Sequence, residues 1–126
     1  GALYQRARDI LAFVGLLPLA DQPAAHLSVG QKKLLELARG LAAEPALFLL
    51  DEPAAGVNPT LLARIAEHIQ TLRQRGVTFL IIEHNMEFVM RLCDRVIVMA
   101  NGSVLADGPP AAVRTNRAVI EAYLGR

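Results

Sequence analysis

The stretch Ala46-Leu47-Phe48-Leu49-Leu50-Asp51-Glu52-Pro53 decides the fold class. A compact apolar run breaks off at two carboxylates and a proline, the pattern of a buried parallel strand whose carboxyl end opens on a polar site. A second apolar run, residues 77–82, ends the same way in Glu83 and His84. Between the two runs, residues 61–75 space their apolar side chains as a helix does, and Gly76 closes it. Strand, helix, strand is a βαβ unit, right-handed almost without exception, and ligands of such sheets sit just beyond the carboxyl ends of the strands. Asp51, Glu52 and His84 are therefore expected to converge.

Towards the N-terminus, Leu3, Ala7, Ile10, Leu11 and Val14 recur at spacings of three and four and predict a short amphipathic helix over residues 3–14. Residues 15–27, with Pro18 and Pro23, read as a connection. Ser28 followed three residues later by Gln31 forms a capping box that opens a second helix, whose apolar side is Leu34, Leu35, Leu37, Ala38 and Leu41. Pro45 stops it. Towards the C-terminus the pattern gives a short helix over residues 86–92, then two strands, 95–100 and 103–107, joined by the hairpin dipeptide Asn101-Gly102. Pro109 and Pro110 open a last helical stretch, broken near Thr115 and Asn116 and closing at Tyr123-Leu124-Gly125.

The bulk numbers narrow the function. With 126 residues, 53% of them hydrophobic, the chain has material for one modest domain with a buried core. No apolar run approaches the roughly 20 residues of a membrane-spanning helix. Thirteen Lys and Arg against twelve Asp and Glu leave a charge of +1, which argues against a nucleic-acid partner bound through a broad basic surface. The single cysteine, Cys93, cannot form an internal disulfide, and no secretory signal pattern is present, so a cytoplasmic setting is expected.

Adjacent carboxylates at a strand end suit a magnesium-dependent hydrolase, one oxygen serving the metal's hydration shell and one carboxylate orienting the attacking water. Acidic residues also follow buried strands merely because the chain is returning to solvent, so the pair alone leaves both readings open. His84 at the next strand end could bond a terminal phosphate or be an ordinary turn residue. The helix start at Ser28 is a phosphate cradle by chemistry and a plain cap by geometry, and the two are compatible. His26, in a loop, and His68, in a helix rich in polar residues, read as structural. Cys93 reads as a small apolar packing residue.

Taken together and in order, Leu27-Ser28-Val29-Gly30-Gln31, Leu47-Phe48-Leu49-Leu50-Asp51-Glu52-Pro53, Ala55-Gly56-Val57-Asn58-Pro59 and Ile81-Ile82-Glu83-His84-Asn85 resemble the signature, Walker B, D-loop and switch-histidine motifs of ABC ATPases. Residues 54–59, residues 89–95 and the closing Tyr123-Leu124-Gly125 look like the ATP-binding subunit of branched-chain amino-acid importers. The resemblance implies a partial P-loop NTPase fold of the α/β class, parallel strands with flanking helices plus a C-terminal β-hairpin and helices. It implies a single domain over residues 1–126, the C-terminal portion of a nucleotide-binding domain, with a signature helical region at 1–45 and the Walker B part at 46–126.

By resemblance, Asp51 serves Mg²⁺ through water, Glu52 is the base that polarises the attacking water and His84 senses the γ-phosphate. Ser28, Gly30 and Gln31 contact the ATP of a partner subunit in trans, and Asn58 acts in the D-loop across that dimer. Val29 occupies the place of the family's second signature glycine, so its side chain is expected to turn away from the phosphate. The implied cofactors are ATP and Mg²⁺. The implied partners are a second ABC ATPase subunit, transmembrane permease subunits and, indirectly, a periplasmic or extracellular substrate-binding protein, with the chain peripheral on the inner face of the cell membrane.

One part of the family pattern is absent: no glycine is followed by lysine, so G-x-x-x-x-G-K-[ST] occurs nowhere. The polypeptide is not expected to hydrolyse ATP alone; it reads as a portion of an importer subunit, or alternatively as a truncated regulatory module that pairs with a full-length ATPase. The family's P-loop strand lies beside the strand that leads to the switch histidine, so residues 77–82 are expected to present an unpaired edge. Either residues 95–100 shift into that gap, or another copy of the chain pairs there.

Overall fold

The computed structural model describes residues 1–124, and Gly125 of the closing motif lies outside them. Its contacts divide the chain into two compact units, one spanning Gly1–Ile82 and the other beginning at Glu83.

In the first unit, α1 (Ala2–Phe13) leads through two short 3₁₀ turns, Leu17–Leu19 and Ala24–His26, to α2 (Val29–Ala42). The helix α2 ends before Pro45 because a residue preceding proline is driven out of the helical region, and Glu44 takes a left-handed φ of 52°. Arg6 from α1 closes this end, donating to the Ala42 carbonyl oxygen at 2.7 Å and pairing with Glu44 at 3.3 Å. Next come β1 (Leu47–Asp51), α3 (Pro59–Gln74) and β2 (Thr78–Ile82). The two strands are parallel and in register from Leu47 opposite Thr78 to Asp51 opposite Ile82. The βαβ unit read from the sequence is thus present.

Val14, Leu16, Leu34, Leu37, Ala38, Phe48, Ile65, Ile69 and Leu72 are buried in this unit. Phe48 stacks on Phe79 of the neighbouring strand with ring centroids 5.6 Å apart. Gly40 of α2 makes the approach of β1 possible, since a Cβ there would run into the Phe48 ring. Burial alternates along both strands, and this corrects the expectation of a fully buried β1. Leu47 and Leu80 are exposed, and Leu49 and Ile82 are 65% and 61% exposed, on the face away from Phe48. A parallel strand is apolar on both sides because it is meant to be covered on both. Here one side is covered.

In the second unit, α4 (Met86–Leu92), capped by Asn85, precedes β3 (Val96–Ala100) and β4 (Ser103–Gly108). The strands form an antiparallel hairpin through Asn101 and Gly102, both left-handed at φ 51° and 78° as a two-residue turn of this kind demands. Arg95 and Asp107 close its far end with two hydrogen bonds, 2.8 and 2.7 Å, which hold the Asp107 carboxyl below its usual range. The strands are followed by α5 (Pro110–Arg114), α6 (Arg117–Val119) and a wide turn, Ile120–Leu124. The break near Thr115 and Asn116 is real, with Asn116 capping α6. Val89, Met90, Val96, Val98, Val113 and Val119 form the core, with Cys93 packed beside it.

The expected shift of residues 95–100 to the free edge of β2 does not occur. Among the described residues β2 pairs with β1 alone, and β3 pairs with β4. Closing a hairpin through two residues costs little chain entropy, so β3 is satisfied locally before any distant edge can compete. No helix among the described residues is long and apolar enough to cross a membrane.

Candidate functional site

The carboxylates sit where β1 runs out. Asp51 is its last residue, and the Glu52 backbone N–H extends the ladder by one bond, donating to the Ile82 carbonyl oxygen at 2.7 Å. Glu52 itself is left-handed, φ 51°, a conformation that costs a non-glycine residue about 1 kcal/mol. Strain of this kind needs a surrounding structure that fixes it. Here the ladder bond holds its nitrogen, and the Ala55 N–H donates to its carbonyl oxygen at 3.1 Å. Both side chains are exposed, and an open groove of about 280 Å³ runs beside Asp51 between Lys33 and Glu36 of α2 and Phe48, Leu50 and Pro53.

The turn after Glu52 carries Gly56 at φ 70° and delivers Asn58 to the start of α3. Asn58 Oδ1 accepts the Leu61 N–H at 2.9 Å, and Pro59 stands at the first helical position, where its missing N–H costs nothing. At the start of α2 the capping box is complete: Ser28 Oγ accepts the Gln31 N–H at 3.1 Å, and Gln31 Oε1 accepts the Ser28 N–H at 2.9 Å. None of these bonds uses the N–H groups of Val29 and Gly30 or the hydroxyl proton of Ser28. A serine oxygen that accepts a cap can still donate, so capping and anion binding are compatible in one residue. Val29 is 64% exposed, and its Cγ1 lies 4.0 Å from where a Cβ on Gly56 would stand.

Ser28, Gly30, Gln31, Asp51, Glu52 and Asn58 all belong to the first unit. His84 stands two residues past β2, in the second, where Glu83 Oε1 accepts the N–H groups of His84 and Asn85 at 2.9 and 3.3 Å. The resulting tight turn starts α4, with Asn85 Oδ1 accepting the Phe88 N–H at 3.1 Å. Among the described residues no three His, Cys, Asp or Glu side chains group as a metal cage. Mg²⁺ binds through one or two carboxylates together with water and substrate phosphates, and the exposed Asp51 is a carboxylate of that kind at the strand end.

His68, read from the sequence as structural in a helix rich in polar residues, is partly buried. Its ring packs on Phe13 of α1, centroids 4.9 Å apart, and Nε2 is buried without a hydrogen-bond partner. Burial lowers its pKa below the usual 6.5, and nearby Arg64 acts in the same direction, against Glu67. No local sequence signal announces this, because Phe13 is distant along the chain.

A family model described as ABC transporter matches residues 2–55, and one described as branched-chain amino acid ATP-binding cassette transporter matches residues 103–126. The chain belongs to the ABC transporter ATP-binding family. Within it, the chain is 44% identical, over 98% of its length, to a probable branched-chain amino acid transport ATP-binding protein LivG of Archaeoglobus fulgidus. It is 43% identical, over 95% of its length, to the high-affinity LivG protein of Escherichia coli K12. The aligned part is 48% of each, so the chain spans about half the length of these curated relatives. A solved ATP-binding cassette of an ABC transporter, in its ADP conformation, superposes with a TM-score of 0.89 at 38% identity, covering 100% of this chain and 51% of that one. The fold is accordingly that of a partial P-loop NTPase.

Proposed function

We propose that this chain carries the water-activating carboxylate and the trans-acting signature face of an ABC-type ATPase that drives branched-chain amino-acid import. The observation that carries the reading is the parallel pairing of β1 with β2, which sets Asp51 and Glu52 at the carboxyl end of a strand whose neighbour leads directly to Glu83 and His84. Glu52 takes the proton of a water that attacks the γ-phosphorus as the bond to the β-phosphate oxygen breaks. Asp51 would hold the hydration shell of Mg²⁺ and His84 would bond the γ-phosphate; the metal, when bound, would supply neutralisation of phosphate charge. Ser28, Gly30 and Gln31 present N–H and hydroxyl donors to the nucleotide of a second subunit, and Asn58 sits at that interface.

As part of one nucleotide-binding domain, the chain works at the inner membrane face against permease subunits, with cargo selected by those and by a binding protein. Lacking the glycine-rich lysine loop, it does not turn over ATP by itself. The exposed apolar face at Leu49 and Ile82, beside a free β2 edge, also supports self-association of the isolated chain.

The test is reconstitution with a P-loop-bearing N-terminal half of a homologous subunit. Mg-ATP hydrolysis is expected in the mixture and lost on Glu52→Gln, while calorimetry on this chain alone gives affinity no tighter than about 1 mM. Micromolar binding by the chain alone, or a mixture indifferent to Glu52, would overturn the reading.

A further inference from the structure

We propose that Leu61 is a positioning residue that locks the start of α2 to the start of α3, so that residues 28–31 and residues 56–58 move as one block. Its importance for turnover rests on the ATPase reading above; its geometry does not.

Gly30 and Leu61 are far apart in sequence and touch in the fold. A Cβ built on Gly30 would overlap Leu61 Cδ2 and stand 3.7 Å from its Cγ. The glycine therefore serves packing, in addition to any close approach by a ligand. Leu61 is tied at its other end, because its N–H is the one held by Asn58 Oδ1 at 2.9 Å. A continuous mechanical path runs from the Gly30 backbone through the Leu61 side chain and N–H to the Asn58 side chain. Val29 stands near the same turn, its Cγ1 4.0 Å from where a Cβ on Gly56 would be, and the left-handed φ of 70° at Gly56 keeps that turn narrow.

Each helix start is separately stiffened by its own cap, Ser28 with Gln31 and Asn58 with Leu61. Two stiff ends joined by interlocking side chains have few ways to move independently, since packed contacts hold discrete arrangements rather than deforming smoothly. Displacement of Gly30 by a bound phosphate is thereby passed to Asn58, and displacement of Asn58 is passed back to Gly30.

A double-substitution cycle read by amide hydrogen exchange tests the lock in this chain. Gly30→Ala forces Leu61 aside and should speed exchange at the Leu61 N–H by roughly tenfold or more, the equivalent of a modest overpacking cost. Leu61→Ala opens the space, so Gly30→Ala in that background should change exchange there by no more than about threefold. Should Gly30→Ala alone fail to fold, folding of the double variant shows the same relief. An undiminished effect of Gly30→Ala without Leu61, an unchanged Leu61 amide in folded Gly30→Ala, or failure of the double variant to fold overturns the proposal.

In the reconstituted enzyme, Gly30→Ala should lower kcat with ATP affinity kept, and adding Leu61→Ala should recover most of the loss. Absence of recovery removes the lock from turnover. Absence of hydrolysis in the unaltered mixture counts against the ATPase reading, and the exchange cycle then decides the packing by itself.

Discussion

The Glu52 backbone N–H donates to the Ile82 carbonyl oxygen at 2.7 Å, one step beyond the last paired residue of β1, and Glu52 is left-handed at that step. The carboxylate read as the catalytic base thus rests on a strained residue whose position is set by the neighbouring strand. Ile82 is followed by Glu83 and His84, so the same strand that fixes Glu52 leads into the turn that carries His84.

Glu52 should therefore show stability and turnover in opposition. Glu52→Gly relieves the left-handed strain and is expected to raise the stability of the chain by about 0.5–1 kcal/mol, the relief exceeding glycine's entropy cost. In the reconstituted enzyme it should abolish turnover, as should Glu52→Gln, which keeps shape and nucleotide binding while removing the base. Urea titration and steady-state hydrolysis check the two halves.

Ser28→Ala removes one half of the α2 capping box and should cost about 1 kcal/mol of stability, with Asn58→Ala costing about as much at α3. If the serine also donates to a partner's nucleotide, Ser28→Asn should keep the stability and still lower turnover. Urea midpoints beside hydrolysis rates separate the cap from the donor.

At Gly40 the ordinary gain from glycine to alanine in a helix, about 1 kcal/mol, is expected to reverse. The new Cβ meets the Phe48 ring in the core, an overpacking worth roughly 1–3 kcal/mol. Thermal unfolding should show Gly40→Ala destabilised and largely rescued by Phe48→Leu.

His68 gives the chain a pH dependence with a definite sign. Its folded pKa lies below 6.5, chiefly through burial, so the unfolded chain takes up the proton first as pH falls. Its contribution to stability should decline as pH drops through 6.5 and level off once the folded state is protonated as well. His68→Phe should flatten that part of the profile, measured by urea titration between pH 7.5 and the acid side.

The sequence by itself determined the order and kind of most elements. Ser28 with Gln31, Asn101-Gly102 and Pro109-Pro110 are local signals that act through neighbouring backbone groups, and each produced the structure it announced. The helix over residues 86–92 was legible to the residue for the same reason. Asp51 and Glu52 at the end of an apolar run marked the strand end without help from any distant residue. Tertiary structure alone decided what depends on partners far along the chain: the contact of Gly30 with Leu61, the burial of His68 Nε2 against Phe13, and which face of β1 is covered. An apolar strand carries no mark of whether both of its faces find a neighbour. Only the packed elements supply or withhold that cover, and here they leave Leu49 and Ile82 open while β3 turns to its hairpin partner.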